Sequence, residues 1–142
     1  MLPAELDSVL SRCLGEAGFP GVVSAYLFGS QAEGRAHRES DVDVGALVDH
    51  RVYPTEHDRF ELRLRLGPCL EAALGGRQAD LVVLNDAPPG LGRHMVTSGR
   101  RIHCADPELD HAFVRDVQLR AADLEPFLRR MRRIKLAAIA RQ

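Results

Sequence analysis

The sequence predicts an α/β (α+β) fold, a small sheet with helices packed on it, from three observations. Four short apolar runs have the length of strands, at residues 22–28, 41–48, 79–84 and 101–104. Longer stretches with helical composition or spacing lie before, between and after them. The chain has 142 residues and 45% hydrophobic content, which suits one domain with a buried core.

The first elements follow from apolar spacing and from turn residues. Leu6, Leu10 and Leu14 recur at helical spacing, and this predicts an amphipathic helix that ends near residues 15–18. A Phe-Pro-Gly turn leads into residues 22–28, whose β-branched and apolar content predicts a buried strand.

A polar segment separates this strand from the next. We expect a Gly-Ser turn, then a short helix or turn through Ala36, then a charged connection at residues 37–40. The second strand is predicted from Asp41 to Val48.

Residues 54–74 carry two competing patterns. Part of the stretch alternates leucine with charged residues, which is a strand period. Its length and its Leu, Glu, Arg and Ala content favour a helix, bent or broken at residues 67–68 because proline removes a backbone donor. Two glycines at 75–76 end it.

The remaining elements are marked by caps and by prolines. A third strand is predicted at 79–84, a short helix at 91–98 and an edge strand at 101–104. Asp106-Pro107 begins a helix, with a side-chain acceptor at the cap and proline in the first turn. A second C-terminal helix is predicted to begin near Pro126.

The second strand carries two carboxylates one residue apart. Side chains alternate along a strand, so Asp41 and Asp43 point to one face while Val42 and Val44 point to the core. Their repulsion at ~4 Å costs about 1 kcal/mol in water and about 4 at an effective dielectric near 20. Such a pair alone is usually solvated. It also suits Mg²⁺, which takes carboxylate, water and phosphate oxygens as ligands.

The Gly29-Ser30 turn offers a place for a phosphate. Glycine has no Cβ, so a phosphate can approach the backbone closely. Ser30 adds a hydroxyl donor, and helix N–H groups after it would face the anion. The full pattern, Gly-Ser, ten residues, then Asp-x-Asp, arises by chance in a chain of this length on the order of one time in several hundred.

Asp80 begins the third predicted strand, where it either faces solvent or joins the first two acids. Two metal ions roughly 3.5–4 Å apart can stabilise the attacking and leaving oxygens of an in-line displacement at phosphorus. Asp41 and Asp43 would bridge both ions. Asp80 would complete one ion's site or accept the proton of the attacking hydroxyl.

These residues resemble a known family. Gly29-Ser30 followed by Asp41-x-Asp43 is similar to the nucleotidyltransferase signature of the polymerase-β superfamily. The small size resembles its minimal members, the MNT-domain antitoxins of the MntA type, which pair with HEPN-domain toxins of the HepT type. Members often read Gly-Ser-x-Ala-Arg-Gly, whereas this chain has Glu33 at the arginine position, with Arg35 as a possible substitute.

The resemblance implies a polymerase-β-like fold with a small mixed sheet. The length and the order of the predicted elements indicate one domain over 1–142, with a core at about 19–105 and C-terminal helices at about 107–140. The resemblance implies transfer of AMP from ATP, with two Mg²⁺ ions at Asp41, Asp43 and Asp80, to a tyrosine hydroxyl of a HEPN-family ribonuclease toxin. Gly29, Ser30 and Arg35 would bind the ATP.

Composition limits the other partners. The net charge of −1 gives no global field for nucleic acid or membrane binding, and no signal peptide or apolar span is evident. The three cysteines, Cys13, Cys69 and Cys104, lack metal-ligand spacing and are interpreted as reduced thiols of a cytoplasmic protein.

Alternatives remain open at this stage. The basic run at residues 129–135 is either a solvated helix face or a docking surface for an acidic partner or ATP phosphates. The chain could also modify a small molecule, as aminoglycoside nucleotidyltransferases do, although it has no room for an acceptor domain. It could neutralise a toxin by binding alone, or be a subunit of a larger transferase.

Overall fold

The computed structural model describes residues 3–15, 18–29 and 41–140. In chain order the elements are α1 (Pro3–Leu14), β1 (Val22–Phe28), β2 (Val42–Val48), α2 (Glu56–Ala73), β3 (Ala79–Val83), α3 (Pro89–Ser98), β4 (Arg100–Cys104) and α4 (Pro107–Ala140). One turn of 3₁₀ helix, Leu84–Asp86, joins β3 to α3. No helix in these ranges is both long and apolar enough to cross a membrane.

The strands form one mixed sheet in the order β3-β2-β1-β4. β1 is antiparallel to β2 and to β4, whereas β2 and β3 are parallel. The predicted mixed sheet is confirmed, with β4 at one edge and β3 at the other. Because α2 connects two parallel neighbours, it runs back antiparallel to β3.

Helices cover both faces of this sheet. On one face the leucines of α1 and α2 pack on the alternate residues of the strands that include Ala25 and Leu27. On the other face α3 and α4 pack against Tyr26 and Leu47, with Met95 at the centre. Two buried layers on one small sheet fix the position of every strand end.

The prediction of a helix for residues 54–74 is confirmed, and the helix runs without a break through Pro68. A capping box at Thr55 and Asp58 begins it. Gly75 and Gly76 end it, both with positive φ, where a Cβ would be strained.

The C-terminal prediction is half right. Asp106 caps α4 by accepting a hydrogen bond from the backbone N–H of Leu109 (3.2 Å), as expected. The second helix expected near Pro126 is wrong, because α4 continues as one helix of 34 residues. A proline removes one backbone hydrogen bond, and in a helix this long the turns on both sides keep theirs.

The short helix predicted through Ala36 and the connection at 37–40 lie outside the described residues. The other strand predictions are confirmed to within one residue at each end.

Candidate functional site

Asp41 and Asp43 lie where β2 begins. Asp41 is exposed and directly precedes the strand, and Asp43 is half-buried within it. Val42 and Val44 are fully buried on the opposite face of the sheet. The alternation predicted from the sequence is therefore present, and the cost of holding two acids close is offset by burial of the two valines.

Asp80 lies beside Asp43 on the neighbouring strand. The two residues are register partners in the parallel pair of β2 and β3, so their side chains leave the same face of the sheet. Neighbouring strands are roughly 4.8 Å apart. Asp80 is exposed and lies on the edge strand, so the face beside it is open.

Gly29 lies on the side of Asp43 away from Asp80. Gly29, Asp43 and Asp80 thus form a row across three neighbouring strands, with Asp41 beside it. Phe28, the last residue of β1, is the register partner of Asp43, and Gly29 follows it with a φ of +73°. A Cβ on Gly29 would lie 2.5 Å from Oδ2 of Asp43. Only glycine allows this turn to lie so close to the carboxylate.

Asp43 is repelled by the negative charges of Asp80 and Asp41. The pKa of Asp43 is raised, first by burial, then by the negative charges of Asp80 and Asp41. In the described part of the chain, no ion pair includes Asp43. The repulsion among the three acids therefore lacks a protein counter-ion there.

These residues fit a hard divalent cation by their chemistry. All three offer carboxylate oxygens, which Mg²⁺ prefers, and a cation among them would relieve the repulsion that raises the pKa of Asp43. The fit is one of donor chemistry and not of side-chain position, because within residues 3–15, 18–29 and 41–140 no three acidic, histidine or cysteine side chains are grouped so that they could hold a metal ion.

Three predicted features lie outside the described residues. They are Ser30 and Arg35, expected to bind ATP phosphates, and Glu33, the departure from the family pattern. Gly29, from the same prediction, is described and lies against Asp43.

A buried acid on the same sheet face was missed by sequence reasoning. Asp110 of α4 is 1% exposed, and its Oδ1 accepts hydrogen bonds from the hydroxyls of Ser24 and Tyr26, each at 2.6 Å. Arg101 of β4 donates to the Oδ2 at 3.0 Å. Burial opposes ionisation of Asp110, but these donors outweigh it and lower its pKa. The available signal was the pair of hydroxyls at 24 and 26, which share one face of an apolar strand.

The mixed sheet with helices on both faces makes this an α/β protein, and three acids lie near the starts of two neighbouring strands, beside a tight glycine turn. The polymerase beta nucleotidyltransferase family model matches residues 17–108. The chain belongs to that nucleotidyltransferase family.

One protein of known activity is similar to this chain in sequence. The protein adenylyltransferase MntA of Shewanella oneidensis is 32% identical over 83 residues, which are 58% of this chain and 55% of MntA. The match thus spans about half the length of that relative.

Solved structures share the fold over most of the chain. One is the crystal structure of a toxin-antitoxin with AMP-PNP, with TM-score 0.60 and 24% identity, covering 92% of this chain and 98% of that one. Another is the tri-AMPylated Shewanella oneidensis HEPN toxin in complex with MNT antitoxin, with TM-score 0.61, 21% identity and the same coverage. At these identities, the likeness shows the fold.

Proposed function

We propose that this chain is a cytoplasmic antitoxin nucleotidyltransferase that transfers AMP from ATP to a tyrosine hydroxyl of a HEPN-family ribonuclease toxin. The observation that carries the proposal is the row of Gly29, Asp43 and Asp80 across three adjacent strands. The named activity of the relative MntA and the HEPN toxin in a structure of the same fold support the choice of reaction and partner.

Each residue of the row has a role in this proposal. The turn at Gly29 receives the triphosphate, because its backbone lacks a Cβ, and Ser30 and Arg35 add donors. Asp41, Asp43 and Asp80 would hold two Mg²⁺ ions, which supply charge neutralisation at the phosphate oxygens. The tyrosine oxygen bonds to the α-phosphorus as the bond to pyrophosphate breaks, and Asp80 accepts the hydroxyl proton.

The far end of α4 is the proposed surface that holds the toxin. Arg130, Arg132 and Arg133 are exposed there, together with Met131 and Ile134, which are 41% and 57% exposed. A 34-residue helix is about 50 Å long, far longer than a strand of seven residues, so this end extends beyond the sheet. Exposed apolar side chains between arginines suit an acidic partner with an apolar centre.

The test is transfer of label from ATP. The chain and a HEPN-family protein encoded beside it are incubated with α-labelled ATP and Mg²⁺, and label on the partner is measured. We expect label with the natural chain and loss of label, with the complex retained, in Asp41→Asn. A tight complex without label for the natural chain would contradict the enzymatic proposal.

That contrary result would support a second candidate, an antitoxin that acts by binding alone. The sequence feature that favours it is Glu33, an acid where relatives often have an arginine for phosphate. Restoring the family pattern by Glu33→Arg separates the two. If the natural chain is inactive for want of that contact, the variant gains transfer.

A further inference from the structure

The direction from which the acceptor arrives follows from the order of the strands. In-line displacement places the attacking oxygen and the leaving pyrophosphate on opposite sides of the α-phosphorus. The row runs from Gly29 beside β1, through Asp43 on β2, to Asp80 on β3. With pyrophosphate at the Gly29 turn, as proposed above, the hydroxyl would arrive over Asp80, which lies on the edge strand.

A cavity lies along that same edge. Its volume is about 620 Å³, and it is bounded by the first turns of α2, the end of β3 and the start of α3. Val82, which lines it, is two residues beyond Asp80 and leaves the same face of the strand. Arg59 and Asp86 close one wall with a bidentate ion pair of 2.9 Å.

Exposed apolar side chains lie in the cavity and beside it on α2. Phe60 and Leu91 line it and are 51% and 40% exposed. Leu64 lies one turn further along α2 and is 58% exposed. Because α2 runs antiparallel to β3, the step from Phe60 to Leu64 leads along the edge of the sheet toward the end of β3 where Asp80 lies, although α2 packs on the sheet face opposite to the Asp80 side chain.

We infer that this cavity and the Phe60–Leu64 stripe bind the polypeptide segment that carries the acceptor tyrosine. The inference rests on the proposed function, since the hydroxyl that must reach Asp80 belongs to a protein partner. A segment with apolar side chains fills the space between Phe60 and Leu91, and an acidic residue in it meets the exposed guanidinium of Arg63.

The experiment compares alanine variants of exposed apolar residues at this edge with an alanine variant of an exposed leucine elsewhere. Leu64→Ala and Phe60→Ala are expected to raise the KM for the HEPN partner at least about 5-fold, the effect of losing roughly 1 kcal/mol at a binding anchor. The kcat at saturating partner and the affinity for ATP should not change. Leu119→Ala, on α4 and 61% exposed, is the matched control and should leave all three unchanged.

The outcomes separate this inference from the function it rests on. Label transfer by the natural chain, with the same KM in Leu64→Ala and Phe60→Ala, overturns the docking site and leaves the function standing. No transfer by the natural chain overturns both. A KM that rises equally in Leu119→Ala also overturns the inference, since the effect would not belong to this edge.

A separate observation concerns two thiols on the sheet face opposite to the three acids. The Sγ atoms of Cys13 in α1 and Cys69 in α2 lie 3.3 Å apart, and no disulfide is present. A second cavity of about 260 Å³ is lined by both cysteines and by Arg12. A small oxidant can therefore reach the pair from solvent.

We also propose that Cys13 and Cys69 form a disulfide that fastens α1 to α2 when a low-molecular-weight disulfide is the oxidant. The Cys69 thiolate attacks the oxidant and releases one thiol, and the Cys13 thiolate then attacks the mixed disulfide and releases the second. The two protein protons leave with those two thiols. A disulfide of about 2.05 Å needs an approach of only ~1.3 Å from the present distance.

Peptide mapping tests the link. After treatment with glutathione disulfide, the mass of the intact protein should fall by two hydrogens. After digestion with trypsin, the peptides 13–35 and 66–77 should be found linked by a disulfide. Closing a loop of this length should raise the unfolding midpoint by about 10 °C. Cys104→Ser should behave as the natural chain, whereas Cys69→Ser should lose both effects. A cross-link through residues 102–115, or no cross-link, overturns the proposal.

Discussion

Replacing Asp43 by asparagine is expected to lower AMP transfer at least about 100-fold and also to raise the stability of the folded protein. Loss of a residue that merely supports a metal ligand costs 10–100-fold, so loss of a ligand should cost no less. The gain in stability follows from the raised pKa of Asp43, whose charge is opposed by burial, by Asp80 and by Asp41. Label transfer and thermal unfolding in the presence of a chelator measure the two effects.

The stability gain should depend on pH in a defined direction. The folded-state pKa of Asp43 lies above its ordinary value of 3.8, so the ionised carboxylate costs stability above the raised pKa and costs nothing below 3.8. The advantage of the asparagine variant is therefore present at neutral pH and disappears as the pH falls through the raised pKa. Mg²⁺ should stabilise the natural chain more than the variant.

Asp49 provides the matched control at the other end of β2. Its pKa is lowered to about 2, chiefly by hydrogen bonds from Arg51. Asp49→Asn should leave label transfer unchanged and lower stability slightly at neutral pH. That deficit is lost as the pH falls from 3.8 toward about 2. A change in the same direction for both variants would show that repulsion in the row is not the cause.

Local patterns in the sequence predicted most of the fold. The bounds of β1 follow from an apolar run between a Phe-Pro-Gly turn and a glycine. The start of α4 follows from Asp106 and Pro107, since cap chemistry is decided within a few residues. The end of a helix at Pro126 was wrong because the balance there depends on the whole helix and not on one residue.

In the candidate site, too, local features could be predicted from the sequence, whereas features that depend on long-range pairing could not. The shared face of Asp41 and Asp43 is a local property of strand alternation and could be predicted. The pairing of Asp43 with Asp80 depends on a parallel register across an intervening helix, which spacing alone does not determine. Asp110 was missed because an acid in the first turn of a helix is as well explained by the helix dipole as by a buried partner.

Replacing Asp110 by alanine is expected to lower the free energy of unfolding by about 3 kcal/mol. The change leaves the buried hydroxyl of Ser24 and the hydroxyl of Tyr26 without their acceptor, and each such loss costs about 1–3 kcal/mol. Arg101 adds less, because its side chain is 44% exposed and can be solvated again. Urea unfolding monitored by circular dichroism measures the change.

Asp116 is the control on the same helix. It pairs with Arg120 four residues on at 3.2 Å, with both side chains more than half exposed. Asp116→Ala should therefore change stability by no more than about 0.5 kcal/mol. Equal costs for the two alanine variants would contradict a structural role for the buried acid.

A further variant separates the lost hydrogen bonds from a general defect in packing. Adding Ser24→Ala and Tyr26→Phe to Asp110→Ala removes the two stranded hydroxyls and should recover part of the lost stability. The pH dependence should also be opposite to that of Asp43. Because the pKa of Asp110 is lowered, its contribution is present above 3.8 and is lost as the pH falls through the lowered pKa. The acid that anchors α4 thus stabilises the fold when ionised, whereas the acid proposed to bind the cation destabilises it.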